Sequence, residues 1–292
     1  MPPVAFQHIG LTSRSEFVDK EGLLQKIVRI CEEAGAEVQI DPLRCSIPEL
    51  QTCKTFKELS DLDLIIVLGG DGTTLRTVRE LKDPRIPLLT INRGTVGFLA
   101  SLDVTEIEST LPPLLEGKGI IEDRQLLACR VMRDGKEVLQ GIALNEIVVS
   151  QGAIARLIEL SVNVNNEPLT VFRADGLIVA SPTGSTAYSL SAGGPIVHPE
   201  IPAIVLTPIN PHAFAQRPLL IPATKTVDIT ILPRESKFEH VQVSLTFDGQ
   251  IHHALERGDH LKCAMHPARV RFLKRETDSF FSSLREKLGW GE

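Results

Sequence analysis

The chain has 292 residues, 42% hydrophobic and 23% charged, the balance of a folded globular protein long enough for two domains and not of a disordered or fibrous chain. A formal net charge of −6 gives no general pull toward nucleic acid or an anionic membrane, so neither is an expected partner and an anionic ligand must be held by a local site. The five cysteines (Cys31, Cys45, Cys53, Cys129, Cys263) include no Cys-x-x-Cys pair, and there is neither a basic leader with an apolar stretch nor a membrane-length apolar run, so free thiols and a cytoplasmic location are expected.

In chain order, Val4 to Thr12 reads as a first strand. Leu23, Leu24, Ile27, Val28, Cys31 and Ala34 then recur at helical spacing up to Gly35. Val38 and Ile40 alternate as a second strand, and residues 41–60 are irregular or carry a short helix. Leu64 to Leu68 is a continuous apolar run with three β-branched members, the mark of a parallel strand covered on both faces. It empties into Gly69-Gly70-Asp71-Gly72, and Leu75, Val78 and Leu81 follow at helical spacing, with Thr73 or Thr74 as the expected cap and Asp83-Pro84 as the stop. Bare backbone N–H groups and a helix N-terminus at one turn suit a phosphate, although a tight turn with Asp71 as a cap has the same local sequence. Pro87 to Asn92 is another buried strand and ends in a second glycine turn, Arg93 to Leu99. Thr105 and Glu108 form a capping-box pattern for a helix that Pro112-Pro113 limits or bends.

From Leu126 the pattern changes to strands: Leu127, Cys129 and Val131, a hairpin at Asp134-Gly135, Ile142 to Val149, Ile158 to Val164 with a turn at Asn165-Asn166, Val171 to Ala180, Ile204 to Leu206, Val227 to Leu232, Val241 to Phe247 and Val270 to Leu273. Phe281, Leu284 and Leu288 mark a last amphipathic helix ending near Gly289. The expected fold is an α/β amino-terminal domain, Rossmann-like with a parallel sheet, over residues 1–100. A β-rich, sandwich-like domain over 101–274 and a helix over 275–292 that packs back on the first domain complete it.

Neither a Walker phosphate loop nor Gly-x-Gly-x-x-Gly is present, which removes the main evidence for an ordinary dinucleotide-dependent dehydrogenase. The densest polar run is Arg173 to Pro195, rich in hydroxyls and glycines that suit ribose, amide and phosphate groups. Asn145-Glu146 interrupts an apolar strand pattern, and a buried glutamate needs a cation or a ligand's hydroxyls. Asp248-Gly249-Gln250 is first of all a turn, and no histidine has metal-ligand spacing.

Taken together, Gly69-Gly-Asp-Gly-Thr73, Ile91-Asn-Arg-Gly-Thr-Val-Gly-Phe-Leu99, Leu144-Asn-Glu146, the run Asp175 to Pro195, Leu206-Thr-Pro-Ile-Asn-Pro-His212 and Arg217-Pro218 resemble the NAD kinase family over roughly residues 60 to 290. The resemblance implies transfer of a phosphate from ATP or polyphosphate to the adenosine-ribose 2′-hydroxyl of NAD, with Asp71 as proton acceptor and Gly72 beside it in the nucleotide site. It places Asn145 and Glu146 on the ribose hydroxyls and adenosine part of NAD, and Arg156, Arg173, Asp175, Thr186, Ala187, Tyr188, Ser189, Leu190, Ser191 and Gln250 at further NAD contacts. A divalent cation, Mg²⁺ or Mn²⁺, is implied with no ligands readable, as is a homo-oligomer, dimer or tetramer. Ser181 stands where the family usually has Thr, and Asn210 where it often has Cys. Another Gly-Gly-Asp-Gly kinase, acting on a lipid or sugar phosphate, and a non-catalytic NAD(H) sensor are the alternatives, against which Asp175 to Pro195 and Asp71 respectively argue.

Overall fold

A computed structural model describes residues 5–14, 22–45, 47–59, 61–93, 97–152, 157–232 and 242–291. The chain forms two compact units, residues 1–123 with 269–292, and residues 124–268. The first holds β1 (His8–Ser13), α1 (Leu23–Glu33), β2 (Glu37–Ile40), β3 (Lys54–Thr55), β4 (Leu64–Leu68), α2 (Asp71–Glu80), β5 (Leu88–Asn92), β6 (Leu102–Asp103) and α3 (Ile107–Leu115). β7 (Ile120–Arg133) carries the chain into the second unit, which continues with β8 (Lys136–Ala143), β9 (Glu146–Gln151), β10 (Ile158–Val164), β11 (Glu167–Ala174), β12 (Gly176–Ala180) and α4 (Tyr188–Ser191). There follow β13 (Ala203–Ile209), β14 (Leu219–Pro222), β15 (Val227–Ile231), β16 (Val243–Phe247) and β17 (Ile251–Leu255); β18 (His260–Lys274) then leads back, and α5 (Phe280–Leu288) closes the first unit.

The first unit is built on parallel strands in the order β3-β2-β1-β4-β5, with β6 and the end of β18 also paired to β5. All five residues of β4 are buried. Leu64, Ile66 and Leu68 face the main core with Leu24, Ile27 and Cys31 of α1, and Ile65 and Val67 alternate to the other covered face. Strand order reverses between β1 and β4, and the ends of such strands at a reversal form the crevice in which open α/β sheets bind ligands. The glycine turn leaves β4 at that point. The expected boundary at residue 100 moves to 123, because α3 buries Ile107, Leu111, Leu114 and Leu115 in this unit's core; the return crossing lies before residue 269 and not at 274, because Phe272 pairs with Leu88.

Three local expectations change as well. α2 starts at Asp71 with Gly70 as its cap, three residues before the first of the two threonines expected there: the N–H groups of Thr73 and Thr74 donate to the Gly70 carbonyl at 2.9 and 3.2 Å. The capping box before α3 is Asp103 with Glu106 and not Thr105 with Glu108, closing a 3₁₀ turn over Val104–Glu106. Pro112 and Pro113 lie inside α3, which runs on to Leu115.

In the second unit one sheet has the order β14-β13-β12-β9-β16-β17, antiparallel throughout, and β11, β10, β15 and the start of β18 pair antiparallel in a second layer. Ile147, Val149, Leu177, Val179, Leu245 and Phe247 of the first meet Leu160, Val162, Ile229 and Leu261 of the other in one apolar core. Val148, Ile178 and Ala180 are buried on the opposite face of β9 and β12 with Val197 and Val205, so these strands read as unbroken apolar runs. The run Ile142 to Val149 is two strands parted at Leu144-Asn145, and Val171 to Ala180 is two strands of different sheets parted at Asp175. β14 and β17 and most of β18 were not expected: β14 and β17 are edge strands with exposed side chains and no clean alternation. At Asp134-Gly135, Asn165-Asn166 and Asp248-Gly249 both residues have positive φ, the twist that two-residue hairpin turns require and that Asp, Asn and Gly adopt most readily.

Because β4 is covered on both faces, Ile66→Ala should lower stability by about 2–5 kcal/mol and Ile66→Val by about 0.5–1.5 kcal/mol, read as shifts of the denaturant midpoint. Equal, small shifts for both would mean that β4 is not the packed centre of its sheet.

Candidate active site

The first unit presents Asp71 at the crevice. Following directly on β4 and opening α2, it lies at the positive end of a helix, half-buried, and its Oδ2 and Oδ1 accept from the N–H groups of Phe98 and Leu99 at 2.9 and 3.2 Å. The described end of the second glycine turn, residues 97–99, therefore folds onto the first. It does so because residue 97 has no side chain: a Cβ on Gly97 would stand 1.9 Å from Asp71 Oδ1. Each carboxylate oxygen keeps a lone pair beyond the one engaged, so Asp71 can still accept a proton from a ligand. Gly72 is exposed in the first turn of α2.

The second unit presents Asn145 and Glu146 where β8 gives way to β9. Asp248 holds that corner from the β16–β17 hairpin, its carboxylate accepting from the N–H groups of Leu144 (2.9 Å), Asn145 (2.8 Å) and Glu146 (3.1 Å). Ser181 binds it from the other side, donating its hydroxyl to Leu144 O at 2.5 Å and its N–H to Asn145 O at 2.8 Å. Gly184 packs so closely on Asn145 that a Cβ would be 2.1 Å from the Asn145 carbonyl oxygen. Glu146 is 6% exposed, and its Oε2 has no hydrogen-bond partner among the described residues. Burial, with the charge of Asp248 added, raises its carboxyl from the ordinary 4.5 to about 8, against the opposing pull of the Tyr188 N–H. A carboxyl in that state gains charge when a ligand brings hydroxyl donors to it.

Of the other residues expected to bind, Tyr188 and Ser191 are exposed on α4, Thr186, Ala187 and Leu190 are half-buried, and Ser189 is fully buried with its hydroxyl 2.8 Å from that of Thr207. Ser185 likewise turns inward, donating to Pro182 O at 2.6 Å and accepting from the Val197 N–H at 2.9 Å. The hydroxyl-rich run thus uses several of its donors to fold on itself. Asp175 sits at the break between β11 and β12, its carboxylate taking the amides of Gln151 (2.8 Å) and Asn210 (2.9 Å), so the departure at Asn210 supplies a partner to an expected site residue. Arg173 is exposed and 3.1 Å from Glu159. Gln250 is exposed just beyond the Asp248-Gly249 turn. Arg156 lies outside the described residues. The residues missed from sequence are Asp248, which looked like a turn alone because its three donors are about a hundred positions away, and the Phe98 and Leu99 N–H groups, which no side-chain pattern reveals. Among the described residues no group of three or more His, Cys, Asp or Glu could hold a metal ion.

Known proteins resemble the chain over most of its length. Residues 12–119 match the model of the ATP-NAD kinase N-terminal domain and residues 144–275 that of the ATP-NAD kinase C-terminal domain. The chain is 42% identical over 289 residues to an NAD kinase of Nitrosospira multiformis, covering 98% of this chain and 96% of that one, and 43% identical over 231 residues to an NAD kinase of Syntrophotalea carbinolica, covering 79% of each. Among solved structures, yeast NADH kinase complexed with NADH superimposes with a TM-score of 0.86 at 26% identity, covering 98% of this chain and 88% of that one. An NAD kinase from Archaeoglobus fulgidus in complex with ATP shares the fold, with a TM-score of 0.74 at 24% identity and 97% and 98% coverage.

A carboxyl whose folded value is raised binds its proton more tightly in the native state, so its contribution is complete below about 4.5 and is lost as pH climbs to about 8. Relative to Glu146→Gln, the unliganded wild type should lose stability across that window, and the variant should be the more stable of the two above it. Denaturant titrations of both across the window check this; parallel pH curves would show that Glu146 has an internal partner.

Proposed function

The chain belongs to the NAD kinase family of phosphotransferases, and on that premise we propose that it transfers the terminal phosphate of ATP, or of polyphosphate, to the 2′-hydroxyl of the adenosine ribose of NAD, giving NADP, with Asp71 as proton acceptor. The observation that carries the assignment is the placement of Asp71: a carboxylate held by two backbone N–H groups, at a helix N-terminus, beside the reversal of strand order.

The ribose hydroxyl approaches Asp71, and its O–H proton passes to the carboxylate as the oxygen forms its bond to the terminal phosphorus; the bond from that phosphorus to the bridging oxygen breaks, and the shortened donor leaves. With no side chain at Gly69, Gly70 or Gly72, the turn lets the donor's phosphates approach the backbone closely, and the dipole of α2 favours their charge. A divalent cation, Mg²⁺ or Mn²⁺, would be held mainly by the donor's phosphate oxygens and water. Such a cation would neutralise phosphate charge. The Glu146 carboxylate accepts from the ribose hydroxyls and Asn145 orients the adenosine part. Asp175, Arg173, Gln250 and the segment Thr186 to Ser191, together with Arg156, complete NAD recognition.

We also infer a cytoplasmic homo-oligomer. Phe214, at 92% exposure, and Leu219 and Leu220 on the edge strand β14 support the assembly. No helix among the described residues is long and apolar enough to cross a membrane.

A coupled assay for NADP with Mg²⁺ or Mn²⁺, offering ATP and polyphosphate separately, tests the activity and identifies the donor; phosphate appearing on diacylglycerol and never on NAD would overturn it. Asp71→Asn should bind NAD nearly as the wild type does and turn over about 10²–10⁴ times more slowly, the scale of a positioned general base. Collapse of NAD affinity with the rate per bound substrate retained would make Asp71 a binding residue and not the proton acceptor. Because hydroxyl donors favour the charged form of Glu146, NAD binding should release a proton below pH about 8 and weaken by up to about tenfold per unit of acidification. Calorimetry in two buffers of different ionisation enthalpy measures both, and Glu146→Gln should abolish the dependence.

A further inference from the structure

α5 carries a lysine toward the same turn that holds Asp71. Leu284 is buried in the first unit, and Lys287, three residues on, projects from the same helix face. Its ammonium donates to the Gly97 carbonyl and stands 5.1 Å from the centre of the Phe98 ring, within reach of a cation–π contact. The Gly97 carbonyl and the Phe98 N–H belong to one peptide unit, which is planar and turns as a whole. Its N–H end donates to Asp71 Oδ2 at 2.9 Å. One peptide plane is thus tied at its oxygen to Lys287 and at its nitrogen to Asp71.

The tie matters because of where the plane lies. A side chain at residue 97 would collide with Asp71, so the turn must use glycine, whose backbone reorients most cheaply. If this plane turned over, a carbonyl oxygen would face the carboxylate in place of a donor. The ammonium opposes that rotation by holding the carbonyl on the far side. It also polarises the peptide, which strengthens the N–H as a donor to the carboxylate.

We propose that Lys287 is a positioning residue for phosphoryl transfer, locking the Gly97–Phe98 peptide so that its N–H aims the Asp71 carboxylate at the incoming hydroxyl. The inference rests on the reading of Asp71 as proton acceptor. Four charged groups surround the ammonium: Asp71 at the start of α2, Lys274 at the end of β18, Asp278 ahead of α5, and Glu286 on α5 itself. Burial lowers its ionisation below the ordinary lysine range, opposed most by the charge of Asp71. Lysine therefore releases the peptide at an alkaline pH at which arginine still holds it.

The test compares Lys287→Met, Lys287→Arg, Asp71→Asn and the double variant Asp71→Asn/Lys287→Met in the NADP assay, with a thermal melt of each. Lys287→Met should lower kcat roughly tenfold, the scale of one charge-assisted hydrogen bond, and leave the KM for NAD within about twofold. Lys287→Arg should restore most of the rate and move the alkaline fall of kcat to higher pH. In the Asp71→Asn background the lysine change should cost less than about twofold, since no proton acceptor remains to be aimed. Should Lys287→Met fail to fold, Lys287→Gln, uncharged but still a donor, replaces it. A wild-type kcat and pH profile in Lys287→Met, or an equal loss with and without Asp71, overturns the proposal while the general-base reading stands. Wild-type turnover by Asp71→Asn overturns that reading, and this proposal with it.

Discussion

The hydrogen bonds from Phe98 and Leu99 to Asp71 are the interaction on which the proposed role of Asp71 depends. A short carboxylate at the mouth of a glycine turn has freedom to rotate and water to meet, and the general base proposed here is useful only when aimed. Here the aim comes from the end of β5 and the loop beyond it, while the acid itself comes from the end of β4, so the pairing of β4 with β5 in the parallel sheet is what brings donor and acceptor together. The apolar strand pattern is in this sense part of the site: Ile65 pairs with Leu88 and Leu68 with Ile91, and a slip of that register would carry the turn away from the acid.

In the second unit two carboxylates close together are treated in opposite ways. Asp248 accepts three backbone N–H groups and fixes the corner at Leu144 to Glu146. Among the described residues Glu146 receives the Tyr188 N–H and keeps one buried oxygen without a donor, and its carboxyl is raised to about 8 by its burial and by the neighbouring Asp248 charge. The first arrangement is structural, since it satisfies a strand break that would otherwise leave three amides unpaired. The second fits the proposed role of Glu146, in which a ligand's hydroxyl groups complete the hydrogen bonding that the described residues leave open.

The hydroxyl-rich run shows why composition alone overstates a binding surface. Ser181, Ser185 and Ser189 are all fully buried, and their hydroxyls bond to Leu144 O, Pro182 O and Thr207. They build a rigid segment between β12 and β13, and it is the positions alternating with them, Thr186, Tyr188 and Ser191 among them, that are left partly or fully exposed. A loop that carries binding groups must first satisfy its own backbone, and small hydroxyl residues do this without bulk.

The amino-acid sequence by itself determined the α/β then β-rich order of the chain, the buried strand β4, the returning helix α5, the three hairpin turns and the position of Asp71 at a strand end. These are local: a run of apolar residues, a glycine after a strand and Asn or Asp before a positive-φ glycine act over a few residues. The tertiary structure alone decided where the strand runs break, at Leu144-Asn145 and at Asp175, because both interruptions are held by partners distant in sequence, Asp248 for the first and Gln151 and Asn210 for the second. It also decided the unit boundaries and the contact of Lys287 with a turn 190 residues earlier. No periodicity encodes such pairings: they follow from which faces the packed sheets and helices bring within a hydrogen bond of each other, and this is settled only when the whole core has closed.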